Sequence, residues 1–541
     1  MGVDPIDSPL ARSAAYRDSI GALTYYQGRA GMHVRGYGVI AGLGTNGTTT
    51  CPKRIYDKLI QSLYKHETRT GSKIGVQSIT PEEFIRDRDT AVVVVEGLIP
   101  AAAIPGTPFD ITVRVIPGTE TKSLLGGRLH LTDLRIFRSL GGSVIRTGKV
   151  LAKASGPVFS NPFSGGGGAT RVSELRGIVV GGGVATDARR ISLVLARPSY
   201  GIAKRIQDRI NSQFGADHKV ADATSPSFVR IHIPPEYAKD QAHFLSLVRA
   251  LFLSRDPAFV VVRAAALAEE IVKPDAPHAL ISVAFESLRR PALPELNRLY
   301  THELDYVSFY AAAAGIRLED HIASDAMAIH AEDPDCTFRF PAIRAMGQAR
   351  GMAGARQTLR RLLDDGDPRV RIAAYEQLVE LGDRAIITHK VGRDNFYLDL
   401  VPTVGKPFIY AKRSGKRRIG LFGIDIRCGP PVFYASPDGA IIINAAIGAP
   451  HIDLIRAGRN GTTSPPVPVR TDCAAMIRLM GTDARVEGDK VIGLGLDYSA
   501  IARALYHLAQ DGSISAEFVL EQEGAGELLG PIRKQGRRET E

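Results

Sequence analysis

The stretch HVRGYGVIAGLGTNGTTTCPKRIYDKLIQSLY, His33 to Tyr64, places Gly42, Gly44 and Gly47 at the spacing G-x-G-x-x-G. Between a strand and a helix, that spacing cradles a dinucleotide pyrophosphate, because glycine permits close backbone approach and the helix N-terminus favours the phosphate. An apolar run does precede these glycines and a helical pattern does follow them. Two further conditions fail. Thr48-Thr49-Thr50-Cys51-Pro52 separates the third glycine from the helix, with Pro52 reading as its first position. The acid that should end a second strand and hold a ribose, about 20 positions on, is Glu67, which falls at the end of the helix Lys53 to His66.

Outward from this stretch the pattern is strands broken by Gly and Pro. AVVVVEGLIP (Ala91 to Pro100) is apolar throughout and predicts a strand buried on both faces. In PGTPFDITVRVIP, Phe109, Ile111, Val113 and Val115 alternate with Asp110, Thr112 and Arg114, which predicts a half-buried strand. GGRLHLTDLRIF, RISLVLARP and SFVRIHIPP predict further strands. IAKRIQDRINSQFG sets Ile206, Ile210 and Phe214 four apart, a helical stripe ending at Gly215. DQAHFLSLVRALFL predicts a second amphipathic helix. The tract Ser160 to Gly177, with four glycines at Gly165 to Gly168, reads as a mobile loop rather than a phosphate loop.

From about Arg255 to Asp383 the chain becomes alanine-rich and helical, with a repeat of roughly 31 to 34 residues. Asp333-Pro334 and Asp367-Pro368 mark its recurring corner, and Ala342, Ala345, Ala373 and Ala374 supply small packing residues. DDGDPRVRIAAYEQLVELGD closely resembles a HEAT-type helical repeat, a unit that needs neighbours to bury its apolar face. Beyond Lys390 strands return. Lys412, Arg413, Lys416, Arg417 and Arg418 surround Ser414-Gly415 at a predicted hairpin turn, either a contact patch for phosphate or acidic protein or a solvated tip. A second hairpin bends at Asp438-Gly439, and Asn460 to Asp472 is a proline-rich link to a last α/β unit and a polar tail.

The chain has 541 residues and a formal charge of +11, which fits several domains and an acidic partner, or a basic, well-mixed surface. No apolar stretch is long enough to span a membrane. The N-terminus lacks a basic region followed by an apolar one and does not read as a signal peptide. Cys51, Cys336, Cys428 and Cys473 lie far apart and read mostly as buried free thiols, with export shifting that balance toward pairing. There is no H-E-x-x-H, G-x-S-x-G or Walker pattern, and His302-Glu303 lacks a second histidine. Glu82-Glu83, Glu269-Glu270 and Asp364-Asp365 fall on helix starts, solvated faces and corners. No catalytic, cofactor or metal site is predicted.

Taken in order, these pieces resemble the bacterial flagellar P-ring protein family. The framework positions are Gly36, Tyr37, Gly38, Gly42, Leu43 and Gly44; Pro105, Gly106, Asp110 and Thr112; Lys122, Ser123, Leu124, Gly126 and Gly127; and Ala203, Ile210, Asn211 and Phe214. The resemblance covers about 220 residues and stops near Val260. It implies a non-catalytic, exported subunit that polymerises into a ring around the flagellar rod. Such a ring would act as a bushing in the periplasm, with itself, the rod, the outer-membrane ring protein and peptidoglycan as partners, and no nucleic acid. Read so, the glycines are close-packed bends where side chains would block backbone approach. Two alternatives stand beside it: an envelope scaffold binding partners through its helical repeats, and a nucleotide-binding enzyme using the GLGTNG loop.

The expected fold is α+β and multi-domain. Residues 1–29 form a polar leader and 30–260 a P-ring-like α+β domain with mixed sheets. Residues 261–388 form a helical region with HEAT-like repeats, 389–459 a β-rich domain, and 460–541 the linker, a small α/β unit and a disordered tail.

Overall fold

The computed structural model describes residues 14–28, 30–70, 80–101, 103–136, 148–159, 175–216, 218–238, 240–393, 395–412, 414–436, 439, 441–457, 463–487 and 490–521. The glycine tract Gly165 to Gly168, Asp438 and the chain end lie outside the described residues. The fold is α+β and multi-domain. Its two compact units do not follow the linear division expected above: residues 31–188 cluster with 387–523, and residues 189–386 cluster with the N-terminal segment up to 30. Among the described residues no helix is long and apolar enough to cross a membrane.

After β1 (Thr24–Gln27), six antiparallel strands close into a barrel in the order β2-β3-β4-β7-β6-β5. They are β2 (Met32–Ala41), β3 (Thr90–Ile99), β4 (Pro108–Val115), β5 (Arg128–Ile136), β6 (Val150–Pro157) and β7 (Arg176–Ala185). The uninterrupted apolar run of β3 has a two-sided cause. Ala91, Val93 and Val95 point into the barrel with Phe109, Ile111, Val113 and Val115 of β4. Val92 and Val94 point outward, beneath the helices Lys53–Thr70 and Pro81–Ile85, against Leu59, Leu63, Phe84 and Ile85. Each such valine contributes roughly 1.5–3 kcal/mol of burial.

In the other unit, β8 (Ile191–Leu195), β9 (Ala221–Ser225) and β10 (Phe228–Ile231) join β1 in the antiparallel order β1-β8-β10-β9. Helix Tyr200–Phe214 packs on this sheet with Ala203, Ile206 and Ile210 buried. Phe214 meets Tyr237 and Phe244 edge-on, at 5.8 and 5.2 Å between ring centres. Gly215 ends the helix, its N–H donating to Asn211 O.

Eight helices follow: Pro257–Ile271, His278–Leu288, Leu293–Leu299, Asp305–Arg317, His321–Glu332, Arg339–Met346, Ala353–Leu362 and Pro368–Glu380. The repeat has an offset of 32 positions, because the same side-chain bonds recur there. Arg339 Nε donates to Ala331 O (3.2 Å) and Arg371 Nε to Leu363 O (2.9 Å). The N–H of Asp335 donates to Asp333, and that of Asp367 to Asp365. Asp335 and Asp367 are therefore equivalent, rather than the two Asp-Pro pairs. Arg339 further reaches Asp365 at 2.5 Å, tying one repeat to the next.

The C-terminal strands are β11 (Ile387–Val391), β12 (Phe396–Val401), β13 (Phe408–Ala411), β14 (Arg418–Phe422), β15 (Val432–Ala435), β16 (Ile441–Ala445), β17 (Ile452–Arg456) and β18 (Val467–Val469). A hairpin of β19 (Arg485–Glu487) and β20 (Lys490–Gly493), then β21 (Glu517–Leu520), completes the set. They form a mixed sheet β11-β12-β14-β13-β21 and an antiparallel sheet β15-β16-β17-β18. Both share one core with the helices Cys473–Gly481 and Tyr498–Gln510, so the segments expected as 389–459 and 460–541 are continuous. Phe159 carries the barrel into that core. Its backbone exchanges two 2.7 Å bonds with Ile178, and its ring lies 6.1 Å from that of Tyr498.

Candidate functional site

At the end of β2 the chain turns through Gly42 (φ +91°) and Gly44 (φ +60°), a conformation that costs glycine nothing. The turn aims its N–H groups at one point. Gly42 N–H donates to Asp89 Oδ2 (3.1 Å) and Gly44 N–H to Asp89 Oδ1 (2.6 Å). Leu43 N–H donates to the main-chain O of Asp89 at 3.0 Å. These are the donors a pyrophosphate would need, and the chain's own carboxylate holds them. Gly47 closes the loop against the start of β3, where an added Cβ would stand 2.2 Å from Thr90 O. Asn46 O accepts from Lys122 N–H (2.8 Å), which binds this loop to the next.

The remaining framework positions have equally local causes. Gly36 and Gly38 lie where the β2–β5 register slips, between Arg35 and Ile40. An added Cβ at Gly36 would meet Asp133 O at 2.4 Å, and one at Gly38 would meet Thr132 Oγ1 at 2.4 Å. Register slips of this kind bend a strand and let a barrel close. Tyr37, between them, packs outward under the helices, and Leu43 and Leu124 fill the barrel core. Pro105-Gly106 forms the centre of a turn closed by Thr107 N–H to Ile104 O (3.0 Å), with Gly106 at φ +91° as a type II turn requires. Gly126-Gly127 ends a second turn, Gly127 N–H donating to Leu124 O, and Ser123 Oγ accepts from Leu125 N–H.

Asp110 Oδ1 accepts from Gly181 N–H at 2.6 Å, beside the slip in the β4–β7 register, while Thr112 is exposed on the outer side of β4. Asn211 uses its whole amide. Its Oδ1 accepts from Val220 and Ala221 N–H (2.9 and 2.8 Å), and its Nδ2 donates to Ala221 O (2.9 Å), clamping β9 to the helix.

The predicted basic hairpin forms between β13 and β14, with Arg413 outside the described residues. Most of its other cations are engaged within the fold. Glu521 accepts from Ser414 N–H (2.7 Å) and Oγ (2.8 Å) and lies 4.0 Å from Lys412 Nζ. Arg418 Nη1 reaches the fully buried Asp399 at 2.6 Å, and its guanidinium lies 4.8 Å from the Tyr397 ring centre. Arg417 is half-buried, its carbonyl accepting from Tyr397 N–H (3.0 Å). Lys416 is exposed, its Nζ 5.9 Å from the same ring.

Three features lay outside the sequence reading. Asp89 is 45 positions from Gly44 and carries no motif of its own. Phe109 lies over two strand glycines, whose added Cβ atoms would meet its ring at 2.7 Å (Gly97) and 2.6 Å (Gly183). In the helical region Ser308 Oγ, His330 Nε2 and His330 Nδ1, Cys336 Sγ form contacts of 2.7 and 3.4 Å. Burial pushes the Cys336 thiol up and the His330 imidazole down, so both stay neutral and the thiol is not activated. The carboxylate pairs also have structural work: Glu83 completes a capping box with Thr80, and Asp365 holds Arg339. All four cysteines are free, Cys428 and Cys473 buried and Cys51 and Cys336 half-buried. Among the described residues no group of three or more His, Cys, Asp or Glu could hold a metal ion.

Comparison with known proteins gives matches for two segments of the chain. Residues 19–267 match the family of the flagellar P-ring protein, and residues 324–388 match HEAT repeats. Flagellar P-ring protein 1 of Bradyrhizobium diazoefficiens is 28% identical over 263 residues, covering 46% of this chain and 64% of its own length. The flagellar P-ring protein of Anaeromyxobacter dehalogenans is 30% identical over 235 residues, 41% of this chain and 56% of its own. That of Caulobacter vibrioides is 27% identical over 266 residues, 47% and 65% respectively. The chain spans less than two thirds of the length of these relatives. Its N-terminal half is thus similar to the flagellar P-ring protein family, and a HEAT-repeat segment and a C-terminal segment beyond both matches follow it.

Proposed function

We propose that this chain is a non-catalytic structural subunit of the flagellar basal body that assembles with copies of itself into a P ring. The observation that carries this reading is the match over residues 19–267, within which Gly36 and Gly38 lie at a strand register slip and an added Cβ at Gly47 would meet the backbone of Thr90. The Asp89 carboxylate in the GLGTNG loop speaks against the nucleotide-binding alternative. In the same reading the ring sits in the periplasm around the rod, beneath the outer-membrane ring, and works as a bushing. Exposed Lys122 and Lys416 are our candidates for contact with an acidic rod or wall polymer.

Negative-stain microscopy of the purified chain tests assembly: closed rings of many copies are expected, and persistent monomers overturn the reading. Deleting the gene should abolish swimming without loss of any metabolic activity. A scaffold role for the helical repeats is the second reading. It is favoured by Ile322 and Ile329, seven positions apart on one helix and 55% and 69% exposed.

A further inference from the structure

Three arginines gather in the unit that holds β1-β8-β10-β9. Arg209, on helix Tyr200–Phe214, is 9% exposed. Its Nε donates to Phe252 O (2.8 Å) and its Nη1 to Gln213 Oε1 (2.9 Å), which leaves Nη2 without a hydrogen bond among the described residues. Arg289 Nη2 reaches the carbonyl of the same Gln213 at 3.4 Å. Arg255 follows Phe252 by three positions and is exposed, as is Arg289. Burial first, then the charges of Arg255 and Arg289, push the Arg209 guanidinium down to about 10, so it stays charged at neutral pH and feels both neighbours.

Other arginines of this unit find acids: Arg263 lies 3.5 Å from Asp18, and Arg317 3.2 Å from Asp240. Among the described residues none of these three makes an ion pair. The acids close to them in sequence are already held, Asp208 by Lys204 (3.2 Å), Glu286 by His243 (2.9 Å) and Asp256 by the N–H of Ala258 (2.9 Å). The C-terminal end of helix Tyr200–Phe214 supplies roughly half a negative charge, well short of three. The backbone at Arg289 is also strained. It holds φ +64° and ψ −158°, a region that only glycine occupies freely. This residue therefore opposes folding twice, through its backbone and by adding a cation to other cations. Strain of this kind is kept where a ligand clamp needs it.

We propose that Arg209, Arg255 and Arg289 form a binding site for a doubly charged tetrahedral oxyanion, either free phosphate or the phosphate of a monoester. Three guanidinium groups call for more charge than one carboxylate carries. A carboxylate is planar and its two oxygens match a single guanidinium fork, whereas a phosphate presents oxygens in several directions. The site uses no residue of the glycine loop, and it stands or falls independently of the ring reading.

The test titrates the full chain with inorganic phosphate, glycerol phosphate and acetate at matched ionic strength, by calorimetry and by thermal melts. Phosphate should bind saturably and raise the melting temperature, and acetate should do neither. Binding of glycerol phosphate as well assigns the site to a monoester; binding of inorganic phosphate alone assigns it to the free ion. Arg255→Gln, at an exposed position whose side chain makes no hydrogen bond, should keep the fold and weaken phosphate binding about tenfold. Arg289→Gly should melt higher than wild type in phosphate-free buffer, because strain and repulsion are both relieved, and should lose the phosphate response. No saturable binding of either phosphate, or equal binding of acetate, would overturn the site. So would unchanged phosphate affinity in Arg255→Gln, or a lower melt for Arg289→Gly, which would make Arg289 a structural cap.

Discussion

The Asp89 carboxylate accepts from Gly44 N–H at 2.6 Å and, through its other oxygen, from Gly42 N–H at 3.1 Å. An anion-binding loop has thus been filled from within, by an acid at the start of the neighbouring strand. Charge-assisted bonds of this kind contribute about 1.5–3 kcal/mol. Asp89→Ala should therefore lower unfolding stability by about 2 kcal/mol in a urea titration. NAD or ATP at millimolar concentration should leave the melting temperature of the wild type unchanged; a saturable upward shift would restore the cofactor reading.

Two glycine substitutions should differ by mechanism. At Gly36 an added Cβ would lie 2.4 Å from the Asp133 carbonyl, a backbone atom fixed in the barrel wall. Gly36→Ala should cost about 3 kcal/mol or prevent folding. At Gly44 nothing lies within 4 Å of an added Cβ, but the backbone holds φ +60°. Gly44→Ala should then cost only about 1–2 kcal/mol, the left-handed penalty alone. Equal losses at the two sites in denaturant titrations would refute the distinction.

In the basic hairpin, Arg418 and Lys416 should behave oppositely. Asp399 is fully buried and bonds both Arg418 and Thr388 Oγ1 (2.5 Å). Arg418→Ala would strand a buried charge and should cost about 3–5 kcal/mol. Lys416→Ala, at an exposed position, should change stability by less than about 0.5 kcal/mol. Paired chemical denaturation curves would measure both.

His330 gives the helical region a pH dependence. Burial holds its imidazole below the ordinary 6.5, against the opposing pull of Asp305 and Asp333. The unfolded chain then binds that proton more readily than the folded one, so stability falls as pH drops from about 6.5 toward the folded value. Above 6.5 neither state is charged and the effect vanishes. The slope from one proton is at most about 1.4 kcal/mol per pH unit. Comparing melts at pH 7.5 and 5.5, His330→Asn should show a smaller acid-induced drop than the wild type; an unchanged drop would exclude this histidine as the cause.

Local pattern was sufficient wherever the physics is local. The alternation Phe109-Ile111-Val113-Val115 specified the inner side of β4, and the Ile206-Ile210-Phe214 spacing specified the buried side of its helix. The helical repeat was legible because its small residues and corner acids recur in sequence. Its true offset of 32 was not, because the two Asp-Pro pairs look equivalent until the arginine bonds to Ala331 and Leu363 are seen.

By itself, then, the sequence determined the α+β class, most strands and helices, and the resemblance of the N-terminal half to the P-ring family. Only tertiary structure decided that residues 31–188 share a unit with 387–523, because compactness depends on contacts such as Phe159 with Tyr498, 339 positions apart. It alone also decided the role of the glycine loop. Spacing reports where backbone donors converge, and only the folded chain reports that Asp89 already meets them.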